Sequence, residues 1–218
     1  MSSMGSFFPR RTSQYVPSMQ YSSDVSATGM GSLALENPIA ANATGIIAAQ
    51  SIATAGSVAA ATTFDPNSMG KFGRVLQVKA SIAATSNVTV NGRDYLGQAL
   101  TESFTLAGTT PVIGKKAFKL IDRITFGVTA AATIDVGWGN VLGLPYRIID
   151  MFSELVSGIE ATAAGTIQLP VSVQTSTSGD PRGTYTPAGA NIPDGIRRYT
   201  IVGLWDRTNL HGERQFYA

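Results

Sequence analysis

Few residues of this 218-residue chain have the types and spacings that chemistry requires. The single histidine, His211, has no second histidine or cysteine to share a metal with, so a surface or interface position is the favoured interpretation. Asp150 and Glu154 are one helical turn apart and could form an acid/base or metal-binding pair, but a solvated helix face is the favoured explanation. No phosphate-binding loop, nucleophile elbow or zinc-protease motif occurs. The sequence therefore predicts no enzyme, with no catalytic residue, cofactor or metal.

The charge content is low and nearly balanced. Lys and Arg number 16 against 14 Asp and Glu, and charged residues make up 14% of the chain, compared with about 25% in ordinary soluble domains. The basic residues are scattered, which argues against direct nucleic-acid binding. The absence of cysteine excludes disulfides within this sequence. A surface this poor in charge is typical of a protein that neighbours cover in an assembly.

One long stretch, residues 37–64, carries no charge and is rich in Ala, Thr, Ser and Gly. Its polar residues and glycines argue against a membrane span, which needs about 20 mostly strongly apolar residues. We expect a low-complexity segment lying on the protein surface. With no signal-peptide pattern at the start, the sequence also predicts a product made in the cytoplasm, with no membrane partner.

Two regimes divide the chain. Residues 1–64 have weak periodicity, which predicts an extended N-terminal arm, and residues 65–218 are expected to form the body. Isolated aromatic side chains on the arm are candidate anchors for a partner; they are Phe7, Phe8, Tyr15 and Tyr21.

The body has the pattern of an all-β protein. Seven short runs alternate apolar and polar residues or are rich in β-branched and aromatic residues, and Gly, Pro, Asn or Asp bound them. The runs are 73–82, 87–92, 100–108, 117–128, 132–138, 165–174 and 197–205. They predict an antiparallel β-sandwich, jelly-roll-like, with at most one short helix. Residues 146–158 are that helix candidate, because Ile148, Phe152 and Leu155 follow helical spacing.

Two turns are candidate contact sites. NGRDYLGQ, between the second and third runs, predicts a protruding hairpin tip that presents Arg93, Asp94 and Tyr95. DPRGTYTP, residues 180–187, predicts an exposed rigid loop that presents Arg182 and Tyr185 to a partner.

A resemblance covers residues 88–187. The string VTVNGRDYLGQALTESFTLAGTTPVIGKKAFKLIDRITF, followed by VGWGNVLGLPYRI and DPRGTYTP, is similar to structural proteins of tailed-bacteriophage virions. Among these it most resembles capsid cement or decoration proteins. The resemblance implies a β-sandwich or jelly-roll trimer with extended arms that bridges and stabilises subunits of the major capsid protein, located in the capsid shell. It implies no catalytic residues.

Two other functions stay open at this stage. A tail or head-to-tail connector component would belong to the same virion. A carbohydrate-binding or hydrolytic β-domain is a remote alternative, because it would need an aromatic platform or a cleft with paired carboxylates.

Overall fold

The computed structural model describes residues 28–217. Over this range the chain forms fourteen β-strands and two short 3₁₀ turns, Pro66–Met69 and Gly189–Asn191. In chain order the strands are β1 (Thr28–Glu36), β2 (Asn42–Ser51), β3 (Gly56–Val58), β4 (Arg74–Ala80), β5 (Asn87–Arg93), β6 (Ala99–Thr105), β7 (Val112–Phe118), β8 (Leu120–Phe126), β9 (Thr133–Gly143), β10 (Ile148–Val156), β11 (Ile159–Glu160), β12 (Thr166–Gln168), β13 (Thr184–Thr186) and β14 (Tyr199–Asp206).

The strands make three sheets, and every ladder is antiparallel. Sheet I has the order β1-β14-β10-β11. Sheet II has the order β12-β13-β9-β4-β7, with β2 also paired to β9, and sheet III has the order β3-β8-β5-β6. The predicted all-β antiparallel fold is confirmed.

The larger core lies between sheets II and III in a sandwich-like arrangement. Sheet III contributes inward residues at alternate positions, such as Val88 and Val90 on β5 and Phe104 on β6, as the alternation predicts. Sheet II faces them with Leu76, Val78, Ile134 and Val136, all fully buried.

A second core joins sheet II to sheet I. Leu142 and Leu144, at and just beyond the end of β9, pack with Tyr199, Ile201 and Trp205 of β14. β9 is eleven residues long and supplies Ile134 and Val136 to the first core and Leu142 to the second. This one strand therefore ties both cores together.

The predicted arm boundary at residue 64 is wrong for the part that the structure describes. β1 pairs with β14, β2 with β9 and β3 with β8, so residues 28–58 supply strands to all three sheets. Ile46 and Ile52, from the segment expected on the surface, are fully buried. Glycines on both strands permit the close packing of β2 on β9: a Cβ at Gly45 of β2 would overlap the Trp138 ring, and a Cβ at Gly137 of β9 would overlap the backbone of Asn42 and Ala43. Residues 1–27 lie outside the described range.

The predicted helix over residues 146–158 is a strand. β10 pairs with β14 through two register shifts, one between Ile148 and Asp150 and one between Met151 and Ser153. Each shift inserts a residue, so the side chains that point toward the second core are Ile148, Met151, Glu154 and Val156, which face the inward residues of β14. The resulting spacing of three residues resembles a helical period.

Two other predicted runs have different bounds. Residues 117–128, expected as one strand, contain the end of β7 and all of β8. Within residues 165–174 only β12, at 166–168, is a strand.

Candidate functional site

The aromatic anchors predicted on the arm, Phe7, Phe8, Tyr15 and Tyr21, lie outside the described residues. The structure does place the other four predicted contact residues. Three of them, Arg93, Tyr95 and Arg182, lie in one region of the molecule. They do not form an exposed contact surface together.

The turn after β5 is fixed to the body and does not protrude as predicted. The buried carboxylate of Asp94 accepts hydrogen bonds from the backbone N–H groups of Leu96 and Gln98, at 2.9 and 2.8 Å, which closes the turn. The Tyr95 hydroxyl donates to the Pro145 carbonyl at 2.5 Å, and its ring meets Phe72 edge-on. Partial burial raises the pKa of Tyr95 to about 12.

Arg93 is the one residue of this turn with a well exposed charged side chain. Its Nε lies 3.3 Å from Asp122 Oδ2 on the neighbouring strand β8, and both side chains are about half exposed. An ion pair this exposed contributes little to stability. Arg93 therefore remains a candidate contact residue, whereas Tyr95 has a structural role.

Arg182 and Tyr185, predicted on an exposed loop, are buried. Arg182 Nη1 lies 2.8 Å from Asp94 Oδ2, its Nε lies 3.6 Å from Asp180 Oδ1, and its guanidinium stands over the Tyr95 ring. Tyr185 lies on β13 with no exposed surface, in tilted contact with the ring of Tyr199. The DPRGTYTP turn therefore serves internal packing, with the Arg182 charge paired to Asp94 and Asp180, although Arg182 Nη2 makes no hydrogen bond among the described residues.

A buried charge network surrounds Arg182. We define it as Asp94, Glu102, Lys116, Asp180 and Arg182, each at most 2% exposed. Asp180 also accepts hydrogen bonds from the backbone N–H of Ala117 and the side chain of Gln215, at 3.1 and 3.4 Å. The network thus joins the turn after β5 to β6, to β7, to the loop before β13 and to the C-terminal residues.

Burial changes the proton affinities in this network. It raises the pKa of Glu102 to about 7, against the opposing effect of hydrogen bonds from the backbone N–H groups of Lys115 and Lys116. It raises the pKa of Asp180 and lowers that of Lys116 to about 8. Groups that titrate near neutral pH can serve as acids or bases, but at 2% and 0% exposure Glu102 and Lys116 offer no surface to a substrate.

The C-terminal residues cover the network. Thr101 N–H donates to the Phe216 carbonyl at 2.7 Å, and the Lys116 ammonium lies 5.6 Å from the Phe216 ring centroid. Lys116 Nζ has no hydrogen-bond acceptor among the described residues. Its charge is stabilised mainly by the Phe216 ring and by the nearby carboxylates of Glu102 and Asp180.

The residues considered for chemistry at the outset lie apart. Glu154 is buried and accepts a hydrogen bond from the Gly165 N–H, whereas Asp150 is exposed at the other end of β10. The expectation of a shared solvated helix face is therefore wrong. His211 is exposed, and its Nδ1 lies 3.2 Å from the Tyr95 hydroxyl. Within residues 28–217, no three His, Cys, Asp or Glu side chains lie together as metal ligands would.

A cleft of about 440 Å³ opens beside the network. Its lining includes Ile113, Leu169, Val171 and Thr184, and its one carboxylate is Asp180, which is paired internally. No aromatic side chain lines it. The cleft therefore lacks both the stacking platform and the paired carboxylates that sugar binding or hydrolysis would use.

One face of sheet I is not covered by any other described sheet. Three cross-strand rows form it: Met30–Leu204–Asp150, Ser32–Val202–Ser153 and Ala34–Thr200–Leu155. We name these nine residues the outer face. Their neighbours in sequence on β1 and β14, such as Leu33 and Ile201, point into the second core.

The outer face is almost uncharged. Asp150 is its one charged residue, and Met30 is 53% exposed. Phe152, in the second bulge of β10, is 54% exposed beside it. No described residue packs over these side chains as a further layer in the three-sheet arrangement. A weakly charged, partly apolar sheet face of this kind is suited to contact with another protein.

Sequence reasoning missed both the network and the outer face. Glu102 shares its inward parity with Leu100 and Phe104, and Lys116 is two residues from the buried Phe118, so alternation could have placed both inside. The outer face could not be predicted, because the two bulges of β10 interrupt the period-two alternation by which a strand is recognised in a sequence.

Comparison with known proteins adds no relative: no family model matches the chain, and no match was found among curated proteins or solved structures. In the described part of the chain, no helix has the length and apolar character that a membrane span requires.

Proposed function

We propose that this chain is a structural protein of a bacteriophage particle, a capsid cement or decoration protein that bridges and stabilises major capsid protein subunits. The observation that carries the proposal is the outer face of sheet I, a nine-residue surface with one charge on a chain in which only 14% of residues are charged. The resemblance of residues 88–187 to virion structural proteins supplies the identity of the partner.

The outer face suits repeated weak contacts. In a shell, each copy needs only a modest interface, because many copies acting on connected subunits multiply the total effect. Apolar side chains such as Met30 and Phe152, more than half exposed, would lose water on docking and so favour the bound state. A homotrimer at threefold positions of the shell fits this function, since closed symmetry presents several outer faces at once.

The fold supplies the rigidity that a bridging protein needs. The buried ion pair between Arg182 and Asp94 and the hydrogen bonds to Asp180 hold four chain segments together without a disulfide. These segments are the turn after β5, strand β7, the loop before β13 and the C-terminal residues. Within the described residues this network is fully inside the protein, so it stabilises the body and leaves the surface free for contacts.

Imaging of phage particles that carry the labelled protein tests the proposal. We expect label over the capsid shell, at threefold or local threefold positions. Label confined to the tail or to the head-to-tail junction would support the connector alternative instead. Particles without label, from a host producing the protein, would contradict both virion functions.

A further inference from the structure

Three groups of the buried charge network have the chemistry of a self-reacting site: an amine and two carboxyls. Lys116 is fully buried, and Glu102 and Asp180 are each 2% exposed. Asp180 Oδ2 accepts a hydrogen bond from the backbone N–H of Ala117 at 3.1 Å, and Glu102 Oε2 accepts one from the backbone N–H of Lys116 at 3.4 Å. Both carboxyl groups therefore lie against the segment of β7 that carries the lysine side chain.

The Lys116 amine has no hydrogen-bond acceptor among the described residues. Burial lowers its pKa to about 8, so part of the amine is neutral, and therefore nucleophilic, near neutral pH. Because Nζ holds no hydrogen bond, a rotamer change that brings it to a neighbouring carboxyl carbon gives up only its contact with the Phe216 ring. The amine can thus reach a reaction partner without breaking a hydrogen bond.

We propose that Lys116 and Asp180 form an isopeptide bond within the chain, with Glu102 as the proton carrier. The Lys116 nitrogen attacks Cγ of the protonated Asp180 carboxyl, and a C–N bond forms. Glu102 takes a proton from the attacking nitrogen and returns it to the departing hydroxyl, which leaves as water. One amine and one carboxylic acid thus become one amide and one water, without any external reagent. The inference does not depend on the proposed function.

Asp180 is the carboxyl group that is better suited to accept the nucleophile. Its oxygens accept hydrogen bonds from the backbone N–H of Arg182 at 2.9 Å, from that of Ala117, and from the Gln215 amide at 3.4 Å. Donors fixed around a carboxyl group stabilise the negative charge that develops on its oxygens during attack. Burial raises the pKa of Asp180 against the effect of Arg182 and these donors, which favours the protonated form that can lose water.

Glu102 is suited to carry the proton. Burial raises its pKa to about 7, against the hydrogen bonds from the backbone N–H groups of Lys115 and Lys116, and the charge of Asp180 raises it further. A group whose pKa is near the working pH can both take and release a proton. Glu102 and Asp180 also both act electrostatically on Lys116, so the three groups are close enough to interact pairwise.

The bond would join β7 to the loop before β13 in a chain that has no cysteine. A covalent link between distant residues stabilises a fold chiefly by restricting the unfolded chain. Ionised Glu102 and neutral Lys116 both become more populated between pH 5 and pH 8, so the bond should form slowly at pH 5 and faster at pH 8. The titration of the Lys116 amine belongs to the chain before the bond forms.

Mass spectrometry of the full chain, folded at pH 5 and then held at pH 8, tests the inference. We expect a product lighter than the starting chain by one water, and a tryptic digest in which residues 116–119 are linked to residues 148–182. Lys116→Arg should abolish this product, and Glu102→Gln should slow its formation at least about tenfold. Lys115→Arg, at the exposed neighbouring lysine, is the matched control and should react as the wild type does.

The measurement on the wild type decides the matter even where a variant fails to fold. An unchanged mass after prolonged incubation at pH 8 would overturn the inference. Loss of water without the linked peptide pair would also overturn it, because cyclisation at Asp194 and Gly195 gives the same change in mass without joining two segments.

Discussion

At the scale of single residues, the main feature is a set of five charged groups that the fold removes from water. Asp94 and Arg182 form a 2.8 Å ion pair at 0–1% side-chain exposure. Removing one partner of such a pair is expected to be strongly destabilising, because the other charge stays buried without compensation. The network therefore makes the body dependent on the protonation of its members.

Glu102 and Lys116 predict an unusual dependence of stability on pH. Burial raises the pKa of Glu102 from 4.5 to about 7, so the folded state binds more protons than the unfolded state between these values. The free energy of unfolding should then fall as pH rises from about 4.5 to about 7, by about 3 kcal/mol at about 1.4 kcal/mol per pKa unit. The pKa of Lys116 is lowered from 10.5 to about 8, so the free energy of unfolding should rise again between about 8 and 10.5.

Urea unfolding at pH 5, 7 and 10 measures this profile. The variant Glu102→Gln removes the titrating carboxyl, so its stability should change far less between pH 5 and 7 than that of the wild type. Glu213→Gln, at an exposed position, is the matched control and should keep the wild-type profile. An unaltered profile in Glu102→Gln would show that Glu102 is not the group responsible.

At the scale of elements, the sequence predicts regular strands well and irregular ones poorly. On β4, β5 and β6, the residues Val78, Val88 and Phe104 face the core as the alternation predicts. β10 was predicted as a helix from the spacing of Ile148, Phe152 and Leu155, but of these only Ile148 faces the core: Phe152 lies in the second bulge and Leu155 on the outer face. Bulges arise from pairing with β14, which is distant in sequence, so local periodicity cannot reveal them.

The burial of the candidate contact residues was also mispredicted because it depends on residues distant in the sequence. Arg182 and Tyr185 lie among turn-forming residues, and turns are usually exposed. Their burial depends on Asp94, 88 residues away, and on Tyr199 of β14. Long-range partners of this kind decide burial, and a single sequence does not identify them.

β2 offers a direct test of the revised boundary between arm and body. Ile46 on β2 is fully buried in the larger core, whereas Ile39, in the same uncharged segment, is 43% exposed. Ile46→Ala should lower the free energy of unfolding by about 2–5 kcal/mol, because it removes buried methyl groups and leaves a cavity.

Ile39→Ala is the matched control and should cost less than about 1 kcal/mol. Chemical denaturation of both variants gives the comparison. Equal, small effects would restore the original interpretation of residues 37–64 as a surface segment.

At the scale of the whole molecule, the described residues form three sheets that enclose two hydrophobic cores. β9 connects the cores, and the charge network joins the C-terminal residues to sheet III and to the loop before β13. Sheet I lies at one side of this body, with its inward residues in the second core and its outer face uncovered by described residues. A rigid interior beside an uncovered sheet face is suited to a protein that binds other subunits without changing its own fold.

The most direct test of the proposed function measures how strongly the protein binds phage particles when residues of the outer face, or beside it, are substituted. Purified Met30→Lys/Phe152→Lys protein would be added to particles lacking the protein, and the bound fraction measured after heating and sedimentation. We expect at least about a tenfold loss of binding with a nearly unchanged melting temperature, because both side chains are exposed and a buried lysine charge opposes docking. The control Val128→Lys, equally exposed in the loop after β8, should bind as the wild type does. Full retention of the double variant alongside the control would contradict the assignment of the outer face as the attachment surface.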